Sequence, residues 1–131
     1  MEILKGHYTS ELHADNKKHS GAKKIDRKFA NEFTAIVEGN IANEDFGVDD
    51  ICKEIGISRV QLYRKVKAVL GYNINEYILD VRMQKAKYLL LNEDFSISEI
   101  SYKVGFSSQA YFSTVFKSKF GLTPKGFKEI G

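Results

Sequence analysis

The stretch ISEISYKVGFSSQAYFSTVFKSKFGLTP, residues 97–124, decides the fold of this 131-residue chain. A short segment of regularly spaced apolar residues leads to Gly105, and a longer segment runs from about Ser108 to Phe120, just before Gly121. Glycine adopts the left-handed backbone conformation without steric cost, so it favours a tight turn after each segment. A short helix, a turn and a longer helix are the plan of a helix-turn-helix, which this stretch therefore predicts.

The same plan occurs a second time, earlier in the chain. The stretch DFGVDDICKEIGIS, residues 45–58, matches DFSISEISYKVGFSS, residues 94–108, at an offset of 49 as far as Gly56 and at an offset of 50 after one inserted residue. Beyond the turn, the matched pairs keep their character: Leu62 with Phe112, Val66 with Phe116, and Gly71 with Gly121. The sequence thus predicts two helix-turn-helix units, at about 48–70 and 97–120.

Three more helices complete an all-α prediction of about seven helices. The first begins at Asp26, its expected N-cap. A linker helix at about 74–91 joins the two units, and Thr123 followed by Pro124 starts a closing helix at about 124–130. The linker would span about 27 Å at 1.5 Å per residue. This length is comparable with the roughly 34 Å turn of B-DNA that separates successive major grooves on one face.

Composition restricts the class of protein. Residues 1–25 are polar and carry no sustained apolar period, so we expect a flexible leader before one domain of residues 26–131. No apolar run approaches the roughly 18 residues of a membrane span, and the start of the chain lacks the apolar middle of a signal peptide. We therefore expect a cytoplasmic chain. The net charge of +3 by itself predicts nothing about partners.

Few residues offer catalytic or metal-binding chemistry. The single cysteine, Cys52, excludes an internal disulfide and falls at helical spacing with apolar residues, which favours a small buried hydrophobe. All three histidines lie in the leader without the spacing of a metal site: His7, His13 and His19. Since catalytic pairs and phosphate-binding glycine loops are also missing from the sequence, we expect no enzymatic activity, no metal and no cofactor.

Three segments together resemble a known family. GISRVQLYRKVKAVLG (56–71), EYILDVRMQKAKYLLLN (76–92) and ISEISYKVGFSSQAYFSTVFKSKFGLTPKGF (97–127) are similar to the DNA-binding domain of AraC/XylS-type transcription regulators. The resemblance covers about residues 45–130. It implies sequence-specific binding to double-stranded DNA. The recognition helices of the two units would enter two adjacent major grooves, one helix in each groove. It also implies a transcription activator with RNA polymerase as a partner.

A fourth segment widens this resemblance. DRKFANEFTAIVEGNIANEDFGV, residues 26–48, is similar to the lead-in of output domains in hybrid two-component regulators. This similarity implies a longer parent protein with receiver and sensor domains upstream, anchored in the inner membrane with this domain on the cytoplasmic side. We expect the isolated domain to be a monomer in solution.

The first recognition helix has a polar face opposite its apolar one. Four positions on or beside this face match those through which the family reads base edges: Val60, Gln61, Tyr63 and Arg64. Arg64 is the strongest candidate, because a guanidinium can pair bidentately with O6 and N7 of guanine. Val60 suits a thymine methyl group, whereas Gln61 or Tyr63 can bond to base edges or phosphate.

The second recognition helix offers a weaker set. Its candidates for base contact are the outward residues and one at the edge: Gln109, Ala110, Tyr111, Ser113 and Thr114. The resemblance implies a basic residue at the position of Thr114, and this chain has none there. We therefore expect this helix to contribute more through DNA shape and phosphate contacts than through base contacts.

Further residues are assigned to the DNA backbone or to the scaffold. The candidates for phosphate contact are hydroxyl and cationic residues in and around the two recognition helices: Ser58, Arg59, Lys65, Lys67, Ser107, Lys117, Lys119 and Lys125. On the linker helix, we expect Arg82, Lys85 and Lys87 to cover the solvent face or pair with nearby acids. Phe106 is expected in the core. The alternative function is a helical protein-interaction module in which the cations are incidental.

Overall fold

The computed structural model describes residues 24–130 of the chain, and these residues form seven helices joined by turns. The helices are α1 (Lys24–Asn40), α2 (Val48–Ile55), α3 (Arg59–Leu70), α4 (Ile74–Asn92), α5 (Ile97–Lys103), α6 (Gln109–Phe120) and α7 (Pro124–Ile130). No strand occurs within the described residues, so the predicted all-α fold is confirmed. In this range, none of the helices combines the length and the apolar character that crossing a membrane requires.

The start of α1 differs from the prediction. The helix begins at Lys24, so Asp26 lies in its first turn, and the prediction of Asp26 as the N-cap is wrong. A carboxylate in the first turn still complements the positive end of the helix dipole. The remainder of the predicted leader, residues 1–23, lies outside the described part of the chain.

Two helix-turn-helix units form, one from α2 and α3 and the other from α5 and α6. Gly56 and Gly105, which are counterparts in the repeat, turn the chain between the paired helices with φ angles of 85° and 89°. Such left-handed angles favour glycine because a Cβ atom would be strained there. The two copies therefore share the backbone conformation of the turn as well as the order of their helices.

Side chains cap three of the helices. The Ser58 hydroxyl accepts from the Gln61 amide at 3.1 Å, and Gln61 Oε1 accepts from the Ser58 amide at 2.9 Å, which starts α3. Ser96 and Glu99 form the same reciprocal pair at the start of α5, at 3.0 and 2.8 Å. Thr123 Oγ1 accepts from the Gly126 amide at 3.0 Å and caps α7. These local bonds explain why the helix boundaries follow so closely from the sequence.

The buried side chains form two hydrophobic cores rather than one. The first core combines residues of α1, α2, α3 and the first half of α4, including Phe33, Ile51, Leu62, Val66 and Tyr77. The second combines the second half of α4 with the elements that follow it, including Met83, Leu90, Ile100, Phe112 and Phe116. Each unit thus has its own core, and α4 packs into both.

Arg82 lies on α4 where the two cores meet. Its neighbour Val81 belongs to the first core and its other neighbour, Met83, to the second. Arg82 itself is only 6% exposed, so the expectation that it covers the solvent face is wrong. It lies four residues from both Ile78 and Ala86, which places it on the inward stripe of the helix. The predicted core position of Phe106 is confirmed, since its side chain is buried.

Candidate nucleic-acid interface

The outward surface of α3 carries the candidates for base reading. Leu62 and Val66 are fully buried and hold the helix against the first core. On the opposite side, the four candidates are exposed: Val60, Gln61, Tyr63 and Arg64. Val60 is 62% exposed although it is apolar. An exposed apolar side chain beside a guanidinium is suited to a partner that offers both methyl groups and hydrogen-bond acceptors, as base edges in the major groove do.

The capping bond restricts what Gln61 can do. Its Oε1 atom accepts from the Ser58 amide, so its side-chain NH₂ group is the part left to donate to a partner. Bidentate pairing of Gln61 with adenine would need both the oxygen and the nitrogen. While this capping bond is kept, Arg64 is the candidate on this helix that is better suited to bidentate pairing.

The outward surface of α6 offers fewer groups that could contact bases. Gln109, Ala110 and Thr114 are exposed, whereas Ser113 is half-buried. Thr114 Oγ1 donates to the carbonyl oxygen of Ala110 at 3.1 Å, which uses the one proton of the hydroxyl within the helix. The weaker set of base-reading groups on this helix thus has a structural as well as a compositional cause.

Tyr111 connects this surface to the second core. Its ring centroid lies 5.7 Å from that of Phe106, and yet the residue is 61% exposed. One part of the ring is thereby held in place while the rest faces solvent. An aromatic ring of this kind offers a fixed apolar surface at little cost in side-chain entropy. Tyr111 therefore presents a partly anchored ring at the start of α6.

Three of the candidates for phosphate contact are engaged inside the domain. Arg59 Nε donates to Asp49 Oδ1 at 2.8 Å, and this hydrogen bond and the charge of Asp49 raise the pKa of Arg59 above its usual value. Lys119 Nζ lies 2.5 Å from a carboxylate oxygen of Asp80, which joins α6 to α4. The Lys65 ammonium lies 5.3 Å from the centroid of the Phe29 ring. These contacts compete with any contact to phosphate.

Other candidates for phosphate contact face solvent. Ser58, Lys67, Ser107, Lys117 and Lys125 are exposed. Lys67 and Lys117 are counterparts in the repeat, and neither forms an ion pair within residues 24–130. One such lysine in each unit gives both recognition helices a cation at the same position. Phosphates flanking two grooves would meet the same charge twice.

The two lysines of α4 cover aromatic rings. Lys85 Nζ lies 5.7 Å from the ring centroid of Tyr88, and Lys87 Nζ lies 4.9 Å from that of Phe120. Both residues are half-buried. They cover the helix as expected, with aromatic rings as the partners that the structure shows. Cations held over rings in this way stabilise the scaffold by about 0.5–2 kcal/mol each.

Comparison with known proteins agrees with this geometry. A family model described as a helix-turn-helix domain matches residues 51–130. A transcriptional regulator from Chromobacterium violaceum, described with AraC-type DNA-binding domain-containing proteins, is 35% identical, with a TM-score of 0.69 over 76% of this chain and 88% of that one. The chain belongs to the AraC-type helix-turn-helix family. It is therefore a DNA-binding domain of a transcription regulator, and the duplicated helix-turn-helix is the AraC-type arrangement.

Two further relatives carry similar domains within signalling proteins. The AraC-type domain is 41% identical over 104 residues to histidine kinase P4 of Formosa agariphila, an alignment that covers 79% of this chain and 8% of the kinase. It is 30% identical to the C-terminal domain of the two-component response regulator yesN from Fusobacterium nucleatum, with a TM-score of 0.69 over 83% of this chain and 99% of that one. The chain thus spans a small part of the kinase's length.

Some residues that shape the interface were not predicted. The acids Asp49 and Asp80, which engage Arg59 and Lys119, come from other helices, and their pairing depends on how the helices pack. Arg82 is different, because a signal for its burial is present in the sequence. Ile74, Ile78, Arg82, Ala86 and Leu90 recur at intervals of four on one stripe of α4. A charged residue within such a stripe predicts a buried, hydrogen-bonded role.

Proposed function

We propose that this AraC-type domain binds double-stranded DNA in a sequence-specific manner, with α3 and α6 in adjacent major grooves. The supporting observation is the repeated unit itself: two recognition helices with exposed outward surfaces are joined by one helix that packs into both cores. α4 has 19 residues and so spans about 28 Å at 1.5 Å per residue. This length suits two binding elements that lie one turn of DNA apart.

The two recognition helices would have different roles on DNA. α3 offers the bidentate Arg64 together with exposed Val60 and Tyr63, which suits direct reading of bases. α6 offers a threonine whose hydroxyl proton is already used and a half-buried serine. Of its two exposed lysines, Lys119 pairs with Asp80, which leaves Lys117 for contact with DNA. Contacts to phosphate position a protein on DNA without reading its sequence. The first unit would therefore mostly specify the site, and the second would mostly position the domain.

The wider setting of the domain is part of the same proposal. A relative named as a histidine kinase and a similar domain named as part of a two-component response regulator support a parent protein with sensor and receiver domains upstream. Phosphorylation of the receiver would then control DNA binding. Transcription activation through RNA polymerase, a cytoplasmic location for the domain, a membrane-anchored parent and a monomeric isolated domain are the other elements of this proposal.

The salt dependence of DNA affinity tests the proposed binding mode. The logarithm of the association constant should fall linearly with the logarithm of salt concentration, by a slope of about 0.9 for each neutralised phosphate. Lys67→Gln and Lys117→Gln should each reduce this slope by about one. Lys53→Gln, on the exposed side of α2 and next to acids, is the matched control and should leave the slope unchanged. A slope near zero for the wild type would refute the phosphate contacts.

A further inference from the structure

The two helix-turn-helix units meet at one buried side chain. Arg82 lies on α4 between the residues that belong to the first core and those that belong to the second. It is 6% exposed, and burial lowers the pKa of its guanidinium below the ordinary value. Burying a cation is costly unless its hydrogen-bond donors are satisfied. The placement of a charge at this junction therefore calls for a structural reason.

The hydrogen bonds of Arg82 supply that reason, because they reach both units. Its Nη1 atom donates to the carbonyl oxygens of Ile41, at 2.5 Å, and Val104, at 2.9 Å. Its Nη2 atom donates to the carbonyl oxygen of Asn43 at 3.2 Å. Ile41 and Asn43 lie in the connection from α1 to α2, whereas Val104 ends α5. One guanidinium thus ties two main-chain segments to the linker helix: the segment that leads into the first unit and the end of α5 in the second.

The turn of the second unit is shaped to admit this guanidinium. A Cβ atom on Gly105 would overlap with Arg82 Nη1 and with the carbonyl oxygen of Ile41. Gly56, its counterpart in the first unit, has nearly the same left-handed φ angle but nothing within 4 Å of the position that a Cβ would take. The left-handed φ angle alone therefore explains why residue 56 is a glycine. Gly105 serves in addition to let the second unit approach Arg82 and the first unit closely.

We infer that Arg82, seated against Gly105, is a positioning residue that fixes the relative placement of the two recognition helices and thereby selects the spacing of the two half-sites. The first part concerns the free protein alone. The second part, the spacing of half-sites, rests on the proposed function. A guanidinium is suited to the task because its planar fork of donors reaches several acceptors at fixed angles. A lysine keeps the charge but offers a single donor centre.

The placement of the helices can be measured without DNA. Spin labels at Ala68→Cys in α3 and Ser118→Cys in α6, in a Cys52→Ala background, occupy exposed and matched positions of the two units. Pulsed electron spin resonance should give a single narrow distance distribution for this protein. Arg82→Lys and Gly105→Ala should broaden or shift it, because both disturb the shared carbonyl contacts. Gly56→Ala is the matched control, because it carries the same backbone strain but lies away from Arg82. It should leave the distance distribution unchanged.

The consequence for DNA is tested with duplexes that differ only in the distance between half-sites. The wild type should bind duplexes of one spacing about tenfold more tightly than duplexes whose spacing is one base pair longer or shorter. A difference of this size is what the loss of one base contact would cause. In Arg82→Lys and Gly105→Ala, this preference should fall to about twofold or less, whereas Gly56→Ala should keep it. The effect of changing a single base within the first half-site should stay the same in all variants.

The outcomes separate the two proposals. If the distance distribution is unchanged in folded Arg82→Lys and Gly105→Ala, the positioning role is wrong. Should Arg82→Lys fail to fold, as judged by circular dichroism, the comparison of Gly105→Ala with Gly56→Ala decides the question. A wild type that binds no duplex, or shows no preferred spacing, would refute the proposed function, while the label distances would still decide the role of Arg82 in the free protein.

Discussion

At the scale of single residues, the two recognition helices differ in base-reading chemistry at one matched pair, Arg64 and Thr114. Both positions are exposed on their recognition helices. Arg64 carries a fork of donors that can pair with guanine, whereas the Thr114 hydroxyl already donates to Ala110. The periodicity of the sequence predicted the exposure of both residues. It did not predict the bond of Thr114, which depends on the rotamer adopted in the folded helix.

This pair offers a comparison of base reading in the two units. Arg64→Ala should weaken binding to the selected site by about 1–3 kcal/mol and relax the preference at one base pair. Thr114→Ala should change affinity for the same site by less than about 0.5 kcal/mol, since such surface substitutions are usually near neutral. Affinities for the selected duplex and for a random duplex would be measured for both variants.

The comparison of duplexes identifies the kind of contact that Arg64 makes. A loss that is confined to the selected site would support base reading. If Arg64→Ala weakens binding equally on selected and random duplexes, Arg64 contacts phosphate and the base-reading role is wrong. Arg64→Lys is an informative control, because lysine keeps the charge without the bidentate geometry and should bind random DNA like the wild type but lose affinity for the selected site.

At the scale of the elements, the capping pairs show how the repeat has changed its chemistry while keeping its geometry. α2 begins with the Gly47 amide donating to the Asp50 carboxylate at 2.9 Å, whereas its counterpart α5 begins with the reciprocal pair of Ser96 and Glu99. The backbone hydrogen bond from Ser96, and then its side-chain bond, lower the pKa of Glu99 below its ordinary value. The ionised form of Glu99 is therefore favoured by the fold at the start of α5.

The cap of α5 should make the stability of the domain depend on pH. Because the pKa of Glu99 is lower in the folded state, its ionised form contributes stability above the unfolded pKa, about 4.3, and this contribution is lost as the pH falls through the folded value. The difference in unfolding free energy between the wild type and Glu99→Gln should thus shrink between about pH 5 and pH 3. Urea unfolding at several pH values measures it.

The neutral cap of α3 provides the control. Gln61 does not titrate, so the destabilisation caused by Gln61→Ala should be the same at each pH in this range. A difference between the wild type and Glu99→Gln that stays constant as the pH falls would contradict the proposed contribution of the ionised cap.

Most element boundaries could be predicted from the sequence because their causes are local. Gly71 and Gly121 end the recognition helices where they were expected, with φ angles of 76° and 82°. The exception is the start of α1, where the sequence pattern suggested Asp26 but the helix begins at Lys24. Asp is favoured both as an N-cap and in the first turn, so its presence does not by itself fix the first residue of a helix.

At the scale of the whole molecule, the fold is two small cores that share one helix. The repeat predicted two helix-turn-helix units joined by a linker helix, since matched apolar residues indicate matched packing. The division of the buried residues into two cores is a finding of the structure. The junction between the units was not predicted. Arg82 was expected to cover the solvent face or to pair with nearby acids. The carbonyl groups that stabilise it come instead from residues 22 to 41 positions away. Only the folded chain brings such groups together.

Selection of bound sequences from a pool of random duplexes tests the central claim most directly. If α3 and α6 occupy adjacent major grooves, the selected duplexes should contain two blocks whose centres lie about 10–10.5 base pairs apart. The block read by α3 should be the more strongly specified, and selection with Arg64→Ala should lose one guanine preference within it. A single block, or a pool without enriched sequence, would contradict the two-groove binding proposed for this AraC-type domain.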